Sequence, residues 1–155
     1  MDVKIINTFI DATVNVIRNF AQIDLSLKGR PTLIDSPIKA SHVTAIIGIN
    51  GAFEGNLFIS MHSDSAAKLA GNVLGMELTE DNGMIESCIG EIANMVGGTT
   101  ITKLSKEYLI NITPPTIIKG DKMKLTLTNK IIAVNFGCEI ITDLMLGVSL
   151  RDTQT

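Results

Sequence analysis

Three side chains between residues 87 and 94 have the types and spacing to share one chemical surface. Ser87, Glu91 and Asn94 are four and then three positions apart. At about 100° per residue of an α-helix they project together. They offer a hydroxyl, a carboxylate and an amide that both donates and accepts hydrogen bonds. On the same wheel Ile85, Ile89, Ile92 and Val96 form a narrow opposite stripe, which must face a core. The carboxylate and the amide therefore stand one turn apart on the solvent side. A Glu and an Asn at this spacing occur on many surface helices, so the spacing alone does not name a reaction.

The residues beside them are unusual for a solvated helix. Gly90, Ala93, Gly97 and Gly98 are all small. A helical glycine costs roughly 1 kcal/mol relative to alanine. Three readings are open. Another molecule approaches this helix closely; a neighbouring helix or strand packs tightly on Gly97 and Gly98; or the helix ends or bends there.

The elements that must position this helix follow from the patterning. The expected helix covers roughly residues 84–103. An opening amphipathic helix is expected over residues 2–20, with Ile6, Phe9, Ile10, Thr13, Val14 and Ile17 on its inner face. A short strand at residues 23–27 and a turn at Gly29-Arg30-Pro31 follow. Residues 32–38 read as a strand pushed toward an edge by Pro37. Residues 43–49 and 53–61 read as a hairpin turning at Asn50-Gly51, with Gly55 a possible bulge. Ser63 is the expected cap of a helix running to Leu74 and stopped by Gly75. Ile112-Thr113-Pro114-Pro115 must be extended, because a proline restricts the residue before it. Residues 117–119, 122–128, 131–142 and 144–151 complete the strands, the last three as a closing antiparallel meander. The fold class expected is α+β, a single domain with helices packed on a largely antiparallel sheet. The domain spans residues 1–152, and 153–155 form a frayed end.

Composition narrows the function. The chain has 155 residues, 45% of them apolar and 19% charged, as in one globular domain. Net charge is −3, with no Trp and one Tyr. Neither a basic footprint nor a set of stacking aromatics is visible, which disfavours nucleic acid as a partner. No apolar run approaches the ~20 residues of a membrane helix, and the N-terminus lacks signal-peptide features, so the cytoplasm is expected. Cys88 and Cys138 lie in apolar segments and read as small core residues. His42 and His62 lie in no metal-ligand spacing.

The stretch Ser87-Cys88-Ile89-Gly90-Glu91-Ile92-Ala93-Asn94 resembles the [Asp/Ser]-x3-Glu-x2-Asn signature of the CheC/CheX/FliY phosphatases, in its CheX form. Its continuation through Gly97-Gly98, the downstream Pro114-Pro115 and the glycine-framed Gly51 to Leu57 resemble further parts of that pattern. Ser87 stands at the position that is often acidic, and the gap to the prolines is slightly shorter than the pattern. Asp11, Asn15 and Arg18 on the first helix resemble a degenerate second copy, so one active surface per chain is expected.

The resemblance implies a CheC/CheX-like fold and hydrolysis of the aspartyl phosphate of the response regulator CheY. It implies that Asn94 orients the attacking water and that Glu91 pairs with the regulator's active-site lysine. Ser87, Gly98 and Pro114 are implied as supporting residues. No metal site is implied in this chain, because Mg²⁺ would be held by the partner's acidic residues. The resemblance also implies a homodimer joined through the sheets, with the C-terminal meander offering the edge. The alternative is a non-catalytic CheX-like module that binds a response regulator or a flagellar partner.

Overall fold

In the computed structural model, which describes residues 2–154, Asp2 caps the first helix: its carboxylate accepts from the Lys4 backbone N–H at 2.9 Å. This helix, α1, spans Val3–Ala21 and buries Ile6, Phe9, Ile10, Thr13 and Ile17, five of the six expected core positions. The chain then runs β1 (Ser26–Leu27), β2 (Thr32–Ile34), β3 (Ile38–Ala40), β4 (Val43–Gly51), β5 (Phe53–Met61), α2 (Ser63–Leu74) and α3 (Met84–Leu104). It closes with β6 (Ile110–Ile112), β7 (Thr116–Lys119), β8 (Met123–Leu125), β9 (Ile131–Gly137) and β10 (Leu144–Asp152).

The main sheet has the order β1-β9-β10-β5-β4-β6, with β2 also on β9 and β7 also on β4. All its pairings are antiparallel. One face carries the three helices and the large core, with Ile47, Leu57, Ile59, Leu146 and Val148 inside it. The other face carries Phe58 and Ile131 under Ile38 and Leu125, from the separate β3–β8 ribbon. The expected α+β fold, helices on a largely antiparallel sheet, is the one observed.

Several elements differ from their sequence reading. The strand expected at residues 23–27 shortens to Ser26–Leu27. The one expected at residues 32–38 splits at Pro37 into β2 and β3, which join different sheets. Residues 122–128 leave the meander, because β8 pairs with β3. The β4–β5 hairpin reverses at Ala52, not within a two-residue Asn50-Gly51 turn, since Gly51 is still in β4. Gly55 takes φ of 153°, and a Cβ there would collide with the Ser149 carbonyl, so the close strand crossing demands glycine. Ser63 lies inside α2, and its expected capping place is held by His62. Gly75 ends α2 in the left-handed conformation, as expected.

The C-terminal strands offer no free edge. β10 lies between β5 and β9, and β1 and β2 cover the outer side of β9. The outer strands of the sheet are β1 with β2 on one side and β6 with β7 on the other. At the C-terminus Thr153 is tied down, with its N–H donating to Ala52 O at 3.0 Å and its hydroxyl to Gly51 O at 2.6 Å.

Candidate active site

Helix α3 lies against both other helices and the β4, β6 and β7 side of the sheet. Its expected stripe of Ile85, Ile89, Ile92 and Val96 is buried. The buried face is wider than that stripe, because Cys88, Gly90, Ala93, Gly97 and Thr100 are buried too. Two glycines allow this. A Cβ at Gly97 would stand 3.2 Å from Ile112 Cδ1, and one at Gly90 would stand 3.1 Å from Ile117 Cδ1 and 3.7 Å from Pro115 Cγ. The edge strand thus comes closer to the helix than ordinary side chains permit. Gly98 is different: a Cβ there would meet nothing within 4 Å.

Ser87 and Glu91 are exposed, and Asn94 and Gly98 are half-buried. Among the described residues the side chains of Ser87, Glu91 and Asn94 have no hydrogen-bond or ion-pair partner. An amide that is half-buried yet unpartnered keeps its donors and its acceptor for something outside the chain.

β6 and β7 form one interrupted edge strand. Ile112 pairs with Ile49 and Thr116 with Ile46, so three residues of the edge face two of β4. The extra residue makes a bulge of Thr113, Pro114 and Pro115, a place where prolines are tolerated. Thr113 fastens it, accepting from Gly48 N–H at 2.8 Å and donating its own N–H to Gly48 O at 2.9 Å. Pro114 is exposed, whereas the half-buried Pro115 approaches the helix at Gly90. Sequence reasoning put Pro114 and Pro115 forward together and took Pro114 as the supporting residue; Pro115 is the one that lies against the helix.

Sequence reasoning passed over Glu86 and Lys119. Lys119 Nζ on β7 lies 2.5 Å from Glu86 Oε1 in the first turn of α3. The hydrogen bond from Lys119 holds the Glu86 carboxyl below the usual carboxylate range. Glu86 Oε2 is buried with no hydrogen-bond partner. No local pattern signals this pair, because its residues are far apart in sequence.

Asp11, Asn15 and Arg18 are exposed on α1, with Arg18 paired to Asp24 at 2.7 Å. Cys88 is buried, which pushes its thiol up, and both cysteines are free. His42 and His62 come together, with ring centroids 5.0 Å apart. The Ser63 backbone N–H donates to His42 Nδ1 at 3.2 Å, and His42 Nε2 lies 3.2 Å from Asp121 Oδ1. His42 therefore acts as a cap for α2 and has no free nitrogen for a metal. Among the described residues no group of three or more His, Cys, Asp or Glu side chains is placed to hold a metal ion. Cavities of about 940 and 420 Å³ are lined by other segments, and neither Glu91 nor Asn94 lines them.

The sequence model of the family described as "Chemotaxis phosphatase CheX" matches residues 43–138, which include α3 and the proline bulge. The chain belongs to the CheX family. A Thermotoga maritima protein named CheY-P phosphatase CheX is 35% identical over 130 residues, 81% of each chain. Among solved structures, CheX in the CheX–CheY–BeF₃–Mg²⁺ complex from Borrelia burgdorferi is similar, with a TM-score of 0.79 and 26% identity over 94% of this chain and 97% of that one. A chemotactic CheC-like protein from Shewanella oneidensis is similar with a TM-score of 0.84 and 26% identity, over 97% of this chain and 100% of that one. No helix among the described residues is long and apolar enough to cross a membrane.

Proposed function

We propose that this chain is a CheY-phosphate phosphatase whose active surface is the Glu91–Asn94 face of α3. The observation that carries the reading is the half-buried Asn94 amide one turn from the exposed Glu91 carboxylate, neither with a partner among the described residues. Such a face suits insertion into the active site of a docked response regulator. Asn94 then holds a water in line with the phosphorus, accepting from it through the amide oxygen. The water oxygen bonds to phosphorus, the bond to the regulator's aspartyl oxygen breaks, a water proton passes to the phosphate, and inorganic phosphate leaves while the aspartate side chain is regenerated on the regulator. An amide is no base at neutral pH, but phosphoryl transfer has a loose transition state and gains mainly from positioning and charge.

Glu91 anchors the complex on the regulator's active-site lysine. Ser87 lies one turn before it, and Gly98 leaves room one turn beyond Asn94. Pro114 and Pro115 form the rim. Mg²⁺ belongs to the partner, in keeping with the complex of CheX, CheY, BeF₃ and Mg²⁺ from B. burgdorferi. The enzyme works in the cytoplasm as a homodimer joined through a sheet edge. The edge available for this is β2, where Leu33 is 61% exposed, because the prolines blunt β6 and β7. Light scattering checks the dimer: a monomer mass across micromolar concentrations would remove it.

The decisive test mixes the protein with a phosphorylated CheY-type regulator and Mg²⁺ and follows the phosphate lifetime. A shortened lifetime is expected. An unchanged lifetime at saturating protein leaves only a docking module and ends the enzyme reading.

A further inference from the structure

We infer that Lys119 is a positioning residue for this hydrolysis: its ion pair with Glu86 fixes the roll of α3 against the edge strand, and so the place of Asn94 over the docked partner. The inference rests on the phosphatase reading.

Along their shared border the helix and the edge strand meet mainly through apolar contacts. Ile112 lies against Gly97, and Ile117 and Pro115 lie against Gly90. Such contacts hold two elements together but are non-directional. Glycines on the helix side make the fit close, yet they remove the knobs that would resist rolling. Glu86 and Lys119 add a directional tie, at 2.5 Å between Oε1 and Nζ. Glu86 lies four residues before Gly90, on the same side of the helix. Lys119 lies two residues beyond Ile117, at the end of β7. The tie therefore continues the line of contact and pins its end at the start of α3. Glu86 Oε2 is buried with no hydrogen-bond partner among the described residues, and Lys119 is the cation that faces this carboxylate.

The geometry shows why roll matters. A side-chain tip lies about 5 Å from a helix axis, so a 20° roll moves it by roughly 1.7 Å. A misplacement of about 1 Å can cost on the order of 100-fold in a reaction that depends on alignment. Docking through Glu91 and the rim is more tolerant, since it is spread over many contacts.

The test is a set of charge variants read in two assays. Turnover of a phosphorylated CheY-type regulator gives kcat, and titration of the same regulator activated with BeF₃ and Mg²⁺ gives Kd. Wild-type turnover is read first, since its absence would end the phosphatase reading itself. Lys119→Met keeps the aliphatic stem and removes the charge. It should lower kcat about tenfold or more while Kd moves less than about threefold. Glu86→Gln should reproduce the fall with a different fold risk. Lys119→Arg should restore kcat to within about twofold of wild type. Arg151→Met breaks the 2.5 Å pair with Glu54 on the sheet and should leave kcat unchanged. The inference is overturned if Lys119→Met and Glu86→Gln turn over like wild type, if Lys119→Arg falls as far as Lys119→Met, or if Arg151→Met loses as much.

Discussion

Removing the Asn94 amide should separate catalysis from folding and from docking. The side chain makes no hydrogen bond among the described residues, so Asn94→Ala breaks no contact of that kind there. Alanine is the better helix former by about 0.5 kcal/mol, against a small loss of contact for a half-buried side chain. Net stability should stay within about 1 kcal/mol of wild type, which is about 2–4 °C in Tm for a chain of this size. Turnover should respond very differently. Losing one preorganised group at a reacting centre commonly costs 10²–10³ in kcat, or about 2.7–4 kcal/mol. The assay is the phosphate lifetime of a phosphorylated CheY-type regulator with Mg²⁺, at saturating variant. Docking is read on the same regulator activated with BeF₃. The expected result is a near-native Tm, a Kd within about threefold and a kcat down at least 100-fold. A variant that keeps turnover within about threefold refutes the water-orienting role. One that loses turnover only because it no longer docks moves Asn94 from chemistry to recognition.

Three further outcomes follow from the same geometry. Glu91→Ala removes an exposed carboxylate without an internal partner, so Tm should hold while Kd for the BeF₃-activated regulator rises about 10- to 100-fold, the worth of a charge-assisted hydrogen bond; an unchanged Kd would show that Glu91 is no anchor. Gly98→Ala should raise stability by about 1 kcal/mol, seen as a higher Tm, because a Cβ there meets open space, whereas Gly98→Leu should fold equally well and fail to dock. Thermal melts of wild type and Lys119→Met across pH test the Glu86 tie. The Glu86 carboxyl is lowered in the folded state, so its stabilisation is present above the ordinary carboxylate range and is lost as pH falls through the folded value. The gap between the two melting curves should be open at pH 7 and close below about pH 4.

The site was more legible than the sheet that supports it, for a physical reason. Helical phase is local, so Ile85, Ile89, Ile92 and Val96 could be set inside and Ser87 and Glu91 outside from spacing alone, and that is where they lie. Strand pairing is not local. Nothing between residues 122 and 128 states that β8 leaves the meander to pair with β3, and nothing in residues 144–151 states that both sides of β10 are taken. The α2 cap was misplaced because the group that receives the Ser63 N–H is an imidazole from 21 residues earlier. Pro114 and Pro115 could be read as extended, but their separate roles depend on which one faces Gly90.

The three glycines of α3 do two different jobs, and the difference argues for a composite site. Gly90 and Gly97 face inward, where the closeness of Ile117 and Ile112 explains them fully by packing. Gly98 has no such neighbour and carries the cost of a helical glycine for nothing inside the chain. It lies one turn beyond Asn94, on the same face. A missing side chain beside an amide that has no partner among the described residues leaves space and hydrogen-bonding capacity in one place. On the proposed reading, a protein that carries its own metal and phosphate pocket would meet an exposed carboxylate and a half-buried amide on one helix face. Gly90 and Gly97 let the edge strand come close behind that face, and Gly98 leaves space in front of it.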